Sequence, residues 1–386
     1  MKQIFSAAVA LILIIPSLSS AATFTYGGWV PFWKQINGTL DAAKNLDRFH
    51  NISPFSYEVK PDGTLVDVLK INDGFWPVWL AAARDLKVKI IPSIAWFRGA
   101  EIHALFSDKK KRIAHEDAIT ALVVKQKFDG IDIDYENKLA ETNKYFSLFI
   151  QGLANRLHAK KKILSCTIEP RTPLASLFRN PPKTVERAND YRVLNKYCDE
   201  VRVMAYDQGL VDIKLNAAYG NGKIYAPVAD PLWVKKVISE ATKYIKPKKV
   251  VLGIPTYGYE YQVAWEDNRL TYERLRSHTF FQAMNRAEIT GGTPTRNIAG
   301  ELSFTYTTST WITGVSSGLS WSASSTRPSV IPAIGTAGPV LRFISVSDAE
   351  SAAQKIALAK KLGLRGVVFF KWDGEQDPLL WGKMKR

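Results

Sequence analysis

The sequence is poor in cysteine and, after its first 22 residues, in long apolar runs. Two cysteines among 386 residues limit the chain to one internal disulfide. Cys166 and Cys198 both lie in or beside apolar, strand-like runs, where pairing and simple packing fit the sequence equally well. No segment after residue 22 is long and apolar enough to cross a membrane, so no membrane span is predicted. An EF-hand calcium loop and internal repeats are also missing.

The first 22 residues have the pattern of a secretory signal. Lys2 supplies the positive start, Ile4 to Ile15 is apolar, and small residues from Ser19 to Ala22 offer a cleavage site. The apolar run is too brief to span a bilayer comfortably. We therefore expect export, giving a secreted, periplasmic or cell-envelope protein.

Basic residues outnumber acidic ones, 52 to 36, which gives a net charge of +16. Basic runs at 158–162, 246–249 and 360–365 each precede an apolar strand-like segment, where helices end and cations complement the helix dipole. If the strands form a parallel barrel, these charges lie on the face opposite the active site. We interpret them as solvation or loose attachment to an anionic cell wall. No nucleic-acid partner is predicted, and the protein is expected to be a monomer.

Strand-like and helix-like segments alternate along the chain, which predicts parallel strands with right-handed crossovers. Eight such units fit an α/β fold of the (β/α)8 TIM-barrel type, with a ligand site at the carboxyl ends of the strands. The eight predicted strands are 24–30, 52–57, 89–96, 128–134, 163–169, 200–206, 250–257 and 365–370.

One interval breaks this rhythm, because almost ninety residues rich in Ser, Thr and Gly separate the seventh strand from the next helix. A structureless loop of that length is improbable in a compact domain. We therefore predict a small α+β insertion domain at 262–342 between strand seven and helix seven. The barrel then comprises 23–261 and 343–386.

The fourth predicted strand carries a row of acids at every second residue. Alternation in a β-strand turns Asp132, Asp134 and Glu136 to one face, within an apolar run. Like charges in a poorly solvated site raise at least one pKa and keep one carboxylic acid protonated near neutral pH. This is the requirement for general-acid catalysis. The alternatives are a solvated strand edge or a site for a hard cation.

Other strand ends bring aromatic residues and a further acid toward the same cavity. The sixth strand ends in Met204-Ala-Tyr-Asp207, the seventh in the stretch up to Tyr259, and the eighth in the stretch from Phe369. Carboxylates ringed by aromatic side chains suit sugars, whose C–H faces stack on rings while their hydroxyls form hydrogen bonds. The predicted substrate-binding residues are Trp29, Trp96, Asp207, Tyr257, Tyr259, Phe370 and Trp372.

The stretch Asp129-Gly-Ile-Asp-Ile-Asp-Tyr-Glu136 resembles the D-G-x-D-x-D-x-E signature of glycoside hydrolase family 18, the chitinase family. Met204-Ala-Tyr-Asp207 is similar to that family's strand-six motif, and the insertion resembles its insertion domain. The stretches 54–59 and 253–259 look closest to the bacterial branch with spore-cortex and cell-wall N-acetylglucosaminidases. The resemblance covers essentially the whole chain after residue 22.

The resemblance implies a secreted retaining hydrolase of β-1,4 linkages at N-acetylglucosamine, working by substrate-assisted catalysis. Glu136 would be the acid and base, and Asp134 would hold the acetamido N–H and share a proton with Asp132. Tyr206 would hydrogen-bond the acetamido oxygen, and Asp207 would position the sugar. No metal or other cofactor is implied. The alternative is a non-catalytic glycan-binding protein on the same fold.

The sequence departs from the family pattern at three places near the site. The fifth strand ends in Glu169-Pro-Arg171, an ion-pair candidate where less charge is expected, and either a substrate contact or a local salt bridge fits it. The third strand reads Ser93-Ile-Ala-Trp96 where a Ser-x-Gly-Gly pattern is usual. The eighth carries Phe370 where a Trp is usual, and Trp372 two residues later is the other candidate for the sugar platform. Chitin and peptidoglycan both remain open as substrates, as do endo and exo action.

Overall fold

The computed structural model describes residues 23–267, 269–308 and 339–386. The predicted signal at 1–22 lies outside the described residues, as does the central part of the predicted insertion. The strands are β1 (Thr25–Val30), β2 (Asn51–Val59), β3 (Leu65–Asp67), β4 (Lys89–Ile90), β5 (Ser93–Trp96), β6 (Gly130–Tyr135), β7 (Ile163–Ile168), β8 (Glu200–Val203), β9 (Val250–Pro255), β10 (Tyr257–Glu266), β11 (Arg269–Thr279), β12 (Thr295–Arg296), β13 (Leu302–Thr308), β14 (Val340–Val346) and β15 (Gly366–Phe370). The helices are α1 (Gln35–Ala43), α2 (Trp76–Asp85), α3 (Gly99–Ser107), α4 (Lys109–Lys125), α5 (Asn143–Ala159), α6 (Leu174–Leu177), α7 (Tyr191–Tyr197), α8 (Ile213–Tyr219), α9 (Pro231–Thr242), α10 (Phe280–Thr290) and α11 (Ala349–Lys361).

Eight parallel strands close into a barrel in the order β1, β2, β5, β6, β7, β8, β9 and β15. The predicted (β/α)8 barrel is therefore confirmed. Two strands differ from their predicted extents. The third predicted strand is divided into β4 and β5 by a segment that contains Pro92, which has no N–H to donate. The sixth predicted strand is shorter, because β8 ends at Val203 and the backbone then turns, with the N–H of Ala205 donating to the carbonyl of Val203.

Helices surround the barrel and several begin at an aspartate. The Asp108, Asp190, Asp212 and Asp230 side chains accept hydrogen bonds from backbone N–H groups in the first turns of α4, α7, α8 and α9. These caps satisfy N–H groups that have no partner inside the helix. The basic runs near 160, 247 and 362 come just before β7, β9 and β15, so they lie toward the amino ends of the barrel strands.

A disulfide joins Cys166 on β7 to Cys198 just before β8, with their Cα atoms 6.2 Å apart. Because Ser165 and Thr167 point into the barrel, Cys166 between them points outward toward the helices. Of the two alternatives that the sequence left open, the structure shows that the cysteines form a disulfide. In the part of the chain that the structure describes, no helix has the length and hydropathy needed to cross a membrane.

A second, antiparallel sheet follows the seventh barrel strand, in the order β11, β10, β14, β13 and β12, with α10 packed on it. Its β10 begins at Tyr257, two residues after β9 ends, so the sheet starts at the carboxyl end of the barrel. The described strands of this sheet run from Tyr257 to Val346. A separate domain at 262–342 remains a proposal.

Candidate active site

The acid row lies on β6 and points into the barrel. Asp132 and Asp134 are inside the strand, and Glu136 is one residue beyond its end, at the carboxyl edge. All three side chains are buried. Alternation along the strand therefore places three carboxyl groups at increasing height in one water-poor cavity.

Asp132, the deepest of the three, is surrounded by hydrogen-bond donors. The hydroxyls of Ser165 and Thr167 donate to its Oδ1, at 2.7 and 2.9 Å. The hydroxyl of Ser93 and the indole N–H of Trp29 donate to its Oδ2, at 2.8 and 3.1 Å. Both oxygens are thus satisfied, as a buried charged group requires.

A buried arginine also contacts this acid from β8. Arg202 Nη1 lies 3.4 Å from Asp132 Oδ2, and Arg202 Nη2 lies 2.9 Å from Glu200 Oε1. Its guanidinium also lies over the ring of Trp29, 5.4 Å from the centroid. The interior of the barrel therefore holds charge of both signs directly below the upper carboxyls.

The two upper acids form a hydrogen-bonded pair. Burial raises the pKa of Asp134 and of Glu136, and the negative charge of the acid below each raises it further. The hydrogen bond between them favours a proton on Glu136 and charge on Asp134, while Lys138 partly offsets both shifts. Asp134 Oδ1 and Glu136 Oε1 are buried without a partner in the protein. Glu136 therefore has the form of a general acid, and two polar atoms remain for a ligand.

Aromatic rings form the wall beside these acids. The ring of Phe370 stacks on Tyr206, with centroids 5.7 Å apart and an interplanar angle of 17°. Trp29 and Tyr257 meet Phe370 edge-on, at 5.9 and 6.0 Å. The cavity therefore presents a flat apolar surface next to proton-donating groups.

Asp207 lies just past the end of β8 and is held by two tyrosines. The hydroxyls of Tyr257 and Tyr259 both donate to its Oδ1, the latter at 2.7 Å. Burial raises the pKa of Asp207, although the two tyrosine hydrogen bonds and the charge of Arg274 oppose this. Arg274 stands 4.7 Å from the ring centroid of Tyr259, so the second sheet contributes a guanidinium to this side of the cavity.

Two predicted substrate-binding residues are not brought to this group. Side chains alternate along β5, so Trp96 points to the same side as Ile94 and away from the side of Ser93. It therefore faces the helices, and its ring packs edge-on against that of Tyr135 with centroids 5.6 Å apart. Trp372 lies beyond the end of β15, where strand alternation no longer applies. It is fully buried and stacks on Trp381, with centroids 4.1 Å apart. Phe370, the other candidate for the platform, packs against Trp29, which donates to Asp132, and against Tyr206.

Several polar residues around the site were missed from the sequence. Ser165 and Thr167 could have been found, because they alternate on the strand next to the acid row. Lys138 could not have been found in this way, because it lies in the loop after β6. Its side chain is buried, donates to the carbonyl of Tyr135, and places Nζ 3.6 Å from Glu169 Oε1. Glu169 pairs with Lys138 rather than with the nearby Arg171, which donates to a backbone carbonyl.

The polar side chains around this cavity are carboxyl, hydroxyl, phenol, indole, guanidinium and ammonium groups. No group of three or more His, Cys, Asp or Glu side chains in the described ranges is arranged to hold a metal ion. Two buried carboxyl groups of raised pKa beside aromatic rings, at the carboxyl end of a (β/α)8 barrel, fit a barrel enzyme that acts on sugars.

The chain belongs to the glycosyl hydrolases family 18, whose family model matches residues 58–375. The predicted family, and with it the class of glycoside hydrolase, is confirmed. The uncharacterized glycosylase YvbX of Bacillus subtilis (strain 168) is 28% identical over 174 residues, covering 43% of this chain and 44% of that protein. The match thus spans less than half of that relative.

Solved structures of low sequence identity share the fold. The spore cortex-lytic enzyme SleL of Bacillus megaterium QM B1551 superimposes with a TM-score of 0.69 at 18% identity, covering 96% of this chain and 76% of that one. A chitinase from Chromobacterium violaceum ATCC 12472 gives a TM-score of 0.67 at 18% identity, covering 94% and 98%. These likenesses support the barrel and its extra sheet.

Proposed function

We propose that the protein is an exported retaining glycoside hydrolase that cleaves β-1,4 linkages at N-acetylglucosamine, in chitin-type glycans or peptidoglycan. The observation that carries the proposal is the buried pair of Asp134 and Glu136 at the carboxyl end of the barrel, where burial and the neighbouring negative charge raise the pKa of Glu136 well above its ordinary value. Membership of family 18 supports the reaction class. The spore cortex-lytic enzyme and the chitinase named above support the substrate class by analogy only.

The reaction begins with proton transfer from Glu136 to the glycosidic oxygen, which lets the bond to the anomeric carbon break. The carbonyl oxygen of the substrate's own 2-acetamido group attacks that carbon from the opposite face and forms an oxazolinium ion. Asp134, left as a carboxylate, accepts the acetamido N–H and balances the positive charge that develops. Tyr206 donates to the acetamido oxygen and orients it.

Water completes the reaction. Glu136, now ionised, accepts a proton from the incoming water, whose oxygen bonds to the anomeric carbon as the oxazolinium ring opens. Two inversions at that carbon give net retention of configuration. The ring of Phe370 would carry the apolar face of the reacting sugar, and Asp207 with its two tyrosines would bind the sugar hydroxyls.

Substitution Glu136→Gln tests this assignment, because it removes the transferable proton and keeps the shape. We expect kcat to fall by roughly 100-fold or more, the scale of general acid catalysis, with the affinity for N-acetylglucosamine oligomers retained. The matched control is Glu141→Gln, which changes an exposed glutamate outside the site. Normal turnover by Glu136→Gln would show that another group is the acid.

An assay of the wild-type protein distinguishes hydrolysis from the rival function, which is glycan binding without hydrolysis. Purified wild type is incubated with chitin oligomers and with isolated peptidoglycan, and the products are identified by mass spectrometry. Release of shorter fragments supports the enzyme and identifies its substrate, and proton NMR recorded early in the reaction should show the β anomer at the new reducing end. Tight binding of both glycans with no cleavage of either would support the rival.

A further inference from the structure

An exposed arginine of the second sheet lies at the rim of the cavity. The guanidinium of Arg274 on β11 is 4.7 Å from the ring centroid of Tyr259, whose hydroxyl donates to Asp207. Burial raises the pKa of Asp207, and the positive charge of Arg274 is one of the influences that oppose this rise. Arg274 is therefore close enough to Asp207 to act on a ligand that is bound there.

A β-bulge turns Arg274 toward the barrel. In the pairing of β10 with β11, Tyr261 is opposite Arg274 and Glu260 is opposite Arg276, so Leu275 is an extra residue on β11. Tyr261 and Glu260 are consecutive and point to opposite faces of the sheet, and the two arginines opposite them do so as well. Without the extra residue, both arginines would share one face. Bulges are frequent next to active sites, where they redirect a side chain.

The two faces of the second sheet have different surroundings. On the face of Arg274, the hydroxyl of Tyr272 accepts a hydrogen bond at 3.0 Å from the backbone N–H of Tyr225, in the loop between α8 and α9. On the opposite face, Arg276 Nε lies 3.4 Å from Glu260 Oε2. Arg274 therefore faces the loops at the carboxyl end of the barrel, whereas Arg276 has an acid of its own sheet as partner.

The N–H groups of Arg274 are available to a ligand. Across the described ranges, the guanidinium contacts the ring of Tyr259 but forms no hydrogen bond or ion pair. Asp207 instead accepts its hydrogen bonds from the hydroxyls of Tyr257 and Tyr259. A guanidinium presents five N–H donors in a planar fork that matches the two oxygens of a carboxylate. Arg274 thus offers paired donors, already oriented by an aromatic ring, to an anion outside the protein.

The two candidate substrates differ in charge. Chitin is a polymer of N-acetylglucosamine and is neutral. In peptidoglycan every second sugar is N-acetylmuramic acid, whose lactyl ether either ends in a carboxylate or is joined to a stem peptide that has carboxylates of its own. A cation at the rim of the cavity attracts such a glycan, and the net charge of +16 acts in the same direction.

We propose that Arg274 is a specificity-determining residue, which binds a carboxylate of the glycan beside the sugar held by Asp207 and makes peptidoglycan, rather than chitin, the preferred substrate. The proposal deepens the proposed function and rests on it. The carboxylate of the lactyl group and those of the stem peptide present the same two oxygens to the guanidinium. The experiment therefore includes both sources.

The test compares substrates that differ only in charge. One pair is a peptide-free oligomer of N-acetylglucosamine and N-acetylmuramic acid, with its lactyl carboxylates either free or converted to methylamides. The second pair carries the stem peptide, with its carboxylates free or converted in the same way. We expect the wild type to favour the charged form of one pair by about tenfold in kcat/KM, the scale of one hydrogen bond to a charged group. The pair that shows this preference identifies the source of the carboxylate.

Arg274→Gln should abolish the preference. The comparison is a ratio of two substrates, so it cancels any effect of the substitution on Asp207, which both substrates meet alike. Arg274→Lys keeps the charge and loses the planar fork, so it should keep part of the preference. In the wild type the preference should decrease as the salt concentration rises, because exposed charges are screened.

Arg276→Gln is the matched control, because it removes the same charge from the same strand on the opposite face of the sheet. This variant should keep the wild-type preference. An equal loss of preference in Arg276→Gln and Arg274→Gln would show that the overall charge of the sheet selects the substrate, and would overturn the proposal. A preference that survives in Arg274→Gln would overturn it as well.

Failure of the proposed function would give a different result. A wild type that cleaves the charged and neutral forms of both pairs equally well would be the proposed hydrolase, but the role of Arg274 would be refuted. A wild type that cleaves no glucosaminide would refute the hydrolase instead. Isothermal titration calorimetry with the same two pairs would then test Arg274 alone, and equal affinities of the wild type for the charged and neutral forms would refute its role.

Discussion

The disulfide between Cys166 and Cys198 allows a quantitative prediction about stability. The two cysteines are 32 residues apart, and both are buried. In the chain-entropy model, closing a loop of this size removes enough freedom from the unfolded chain to stabilise the folded state by about 3.7 kcal/mol at 25 °C. The double substitution Cys166→Ala/Cys198→Ala should lower the free energy of unfolding by about this amount.

The same bond should have little effect on catalysis. Cys166 faces the helices, whereas Ser165 and Thr167 on either side of it donate to Asp132. Strand β7 is also held by parallel pairing with β6 and β8. We therefore expect kcat of the double variant to stay within about threefold of wild type at a temperature where both are folded.

Urea unfolding followed by circular dichroism measures the change, and thiol titration under denaturing conditions first verifies that the wild type has no free thiol. Reduction of the wild type provides an independent second measurement, which should lower the midpoint to the same extent. An oxidised wild type and a double variant with the same midpoint would refute the loop-closure reasoning. A large loss of kcat in a folded double variant would refute the claim that pairing with the neighbouring strands suffices to hold β7.

Two further predictions concern the platform and the second sheet. Phe370→Ala should lower kcat/KM by about tenfold or more, because it removes a ring from the aromatic wall of the cavity. Trp372→Phe should lower the unfolding temperature but leave kcat/KM within about twofold, because Trp372 packs on Trp381. The opposite result in steady-state assays would make Trp372 the platform. Burial raises the pKa of Glu260, but hydrogen bonds from His278 and Tyr306 outweigh it and lower the pKa to about 2. A carboxylate with a lowered pKa in the folded state adds stability above its ordinary pKa and loses it as pH falls toward 2. The free energies of unfolding of wild type and Glu260→Gln, measured by urea titration, should therefore differ by on the order of 3 kcal/mol at pH 7 and converge near pH 2. A constant difference across this range would contradict the assignment.

The regular part of the molecule could be predicted because its signals are local. Eight apolar strand segments alternate with amphipathic helices, and each predicted strand coincides with an observed one to within a few residues. The acid row was visible for the same reason, since alternation over five residues is enough to align Asp132, Asp134 and Glu136. Phe370 and Tyr206 were placed at the cavity by their positions at strand ends.

Residues whose placement depends on where a strand stops could not be assigned in this way. Trp372 was placed on the face of Phe370 by continuing the alternation of β15, but the strand ends at Phe370. Trp96 lies inside β5 but faces the helices. Ser93 points into the barrel, where it donates to Asp132, and Trp96 three residues later must therefore point outward. To assign such residues from the sequence, one would first have to know which residue of each strand points into the barrel.

Buried charge was the other feature that local patterns did not reveal. Glu200 and Arg202 stand two apart on β8, and on a surface strand such a pair would be an ordinary solvated couple. In the barrel interior, the same pair lies beneath the acid row, and desolvation makes each charge depend on an opposite charge from another strand. Asp132 comes from β6, Arg202 and Glu200 from β8, and Arg365 from the turn before β15. Only closure of the barrel brings these strands together, so the contacts of the innermost acid depend on the fold as a whole and not on the motif that contains it.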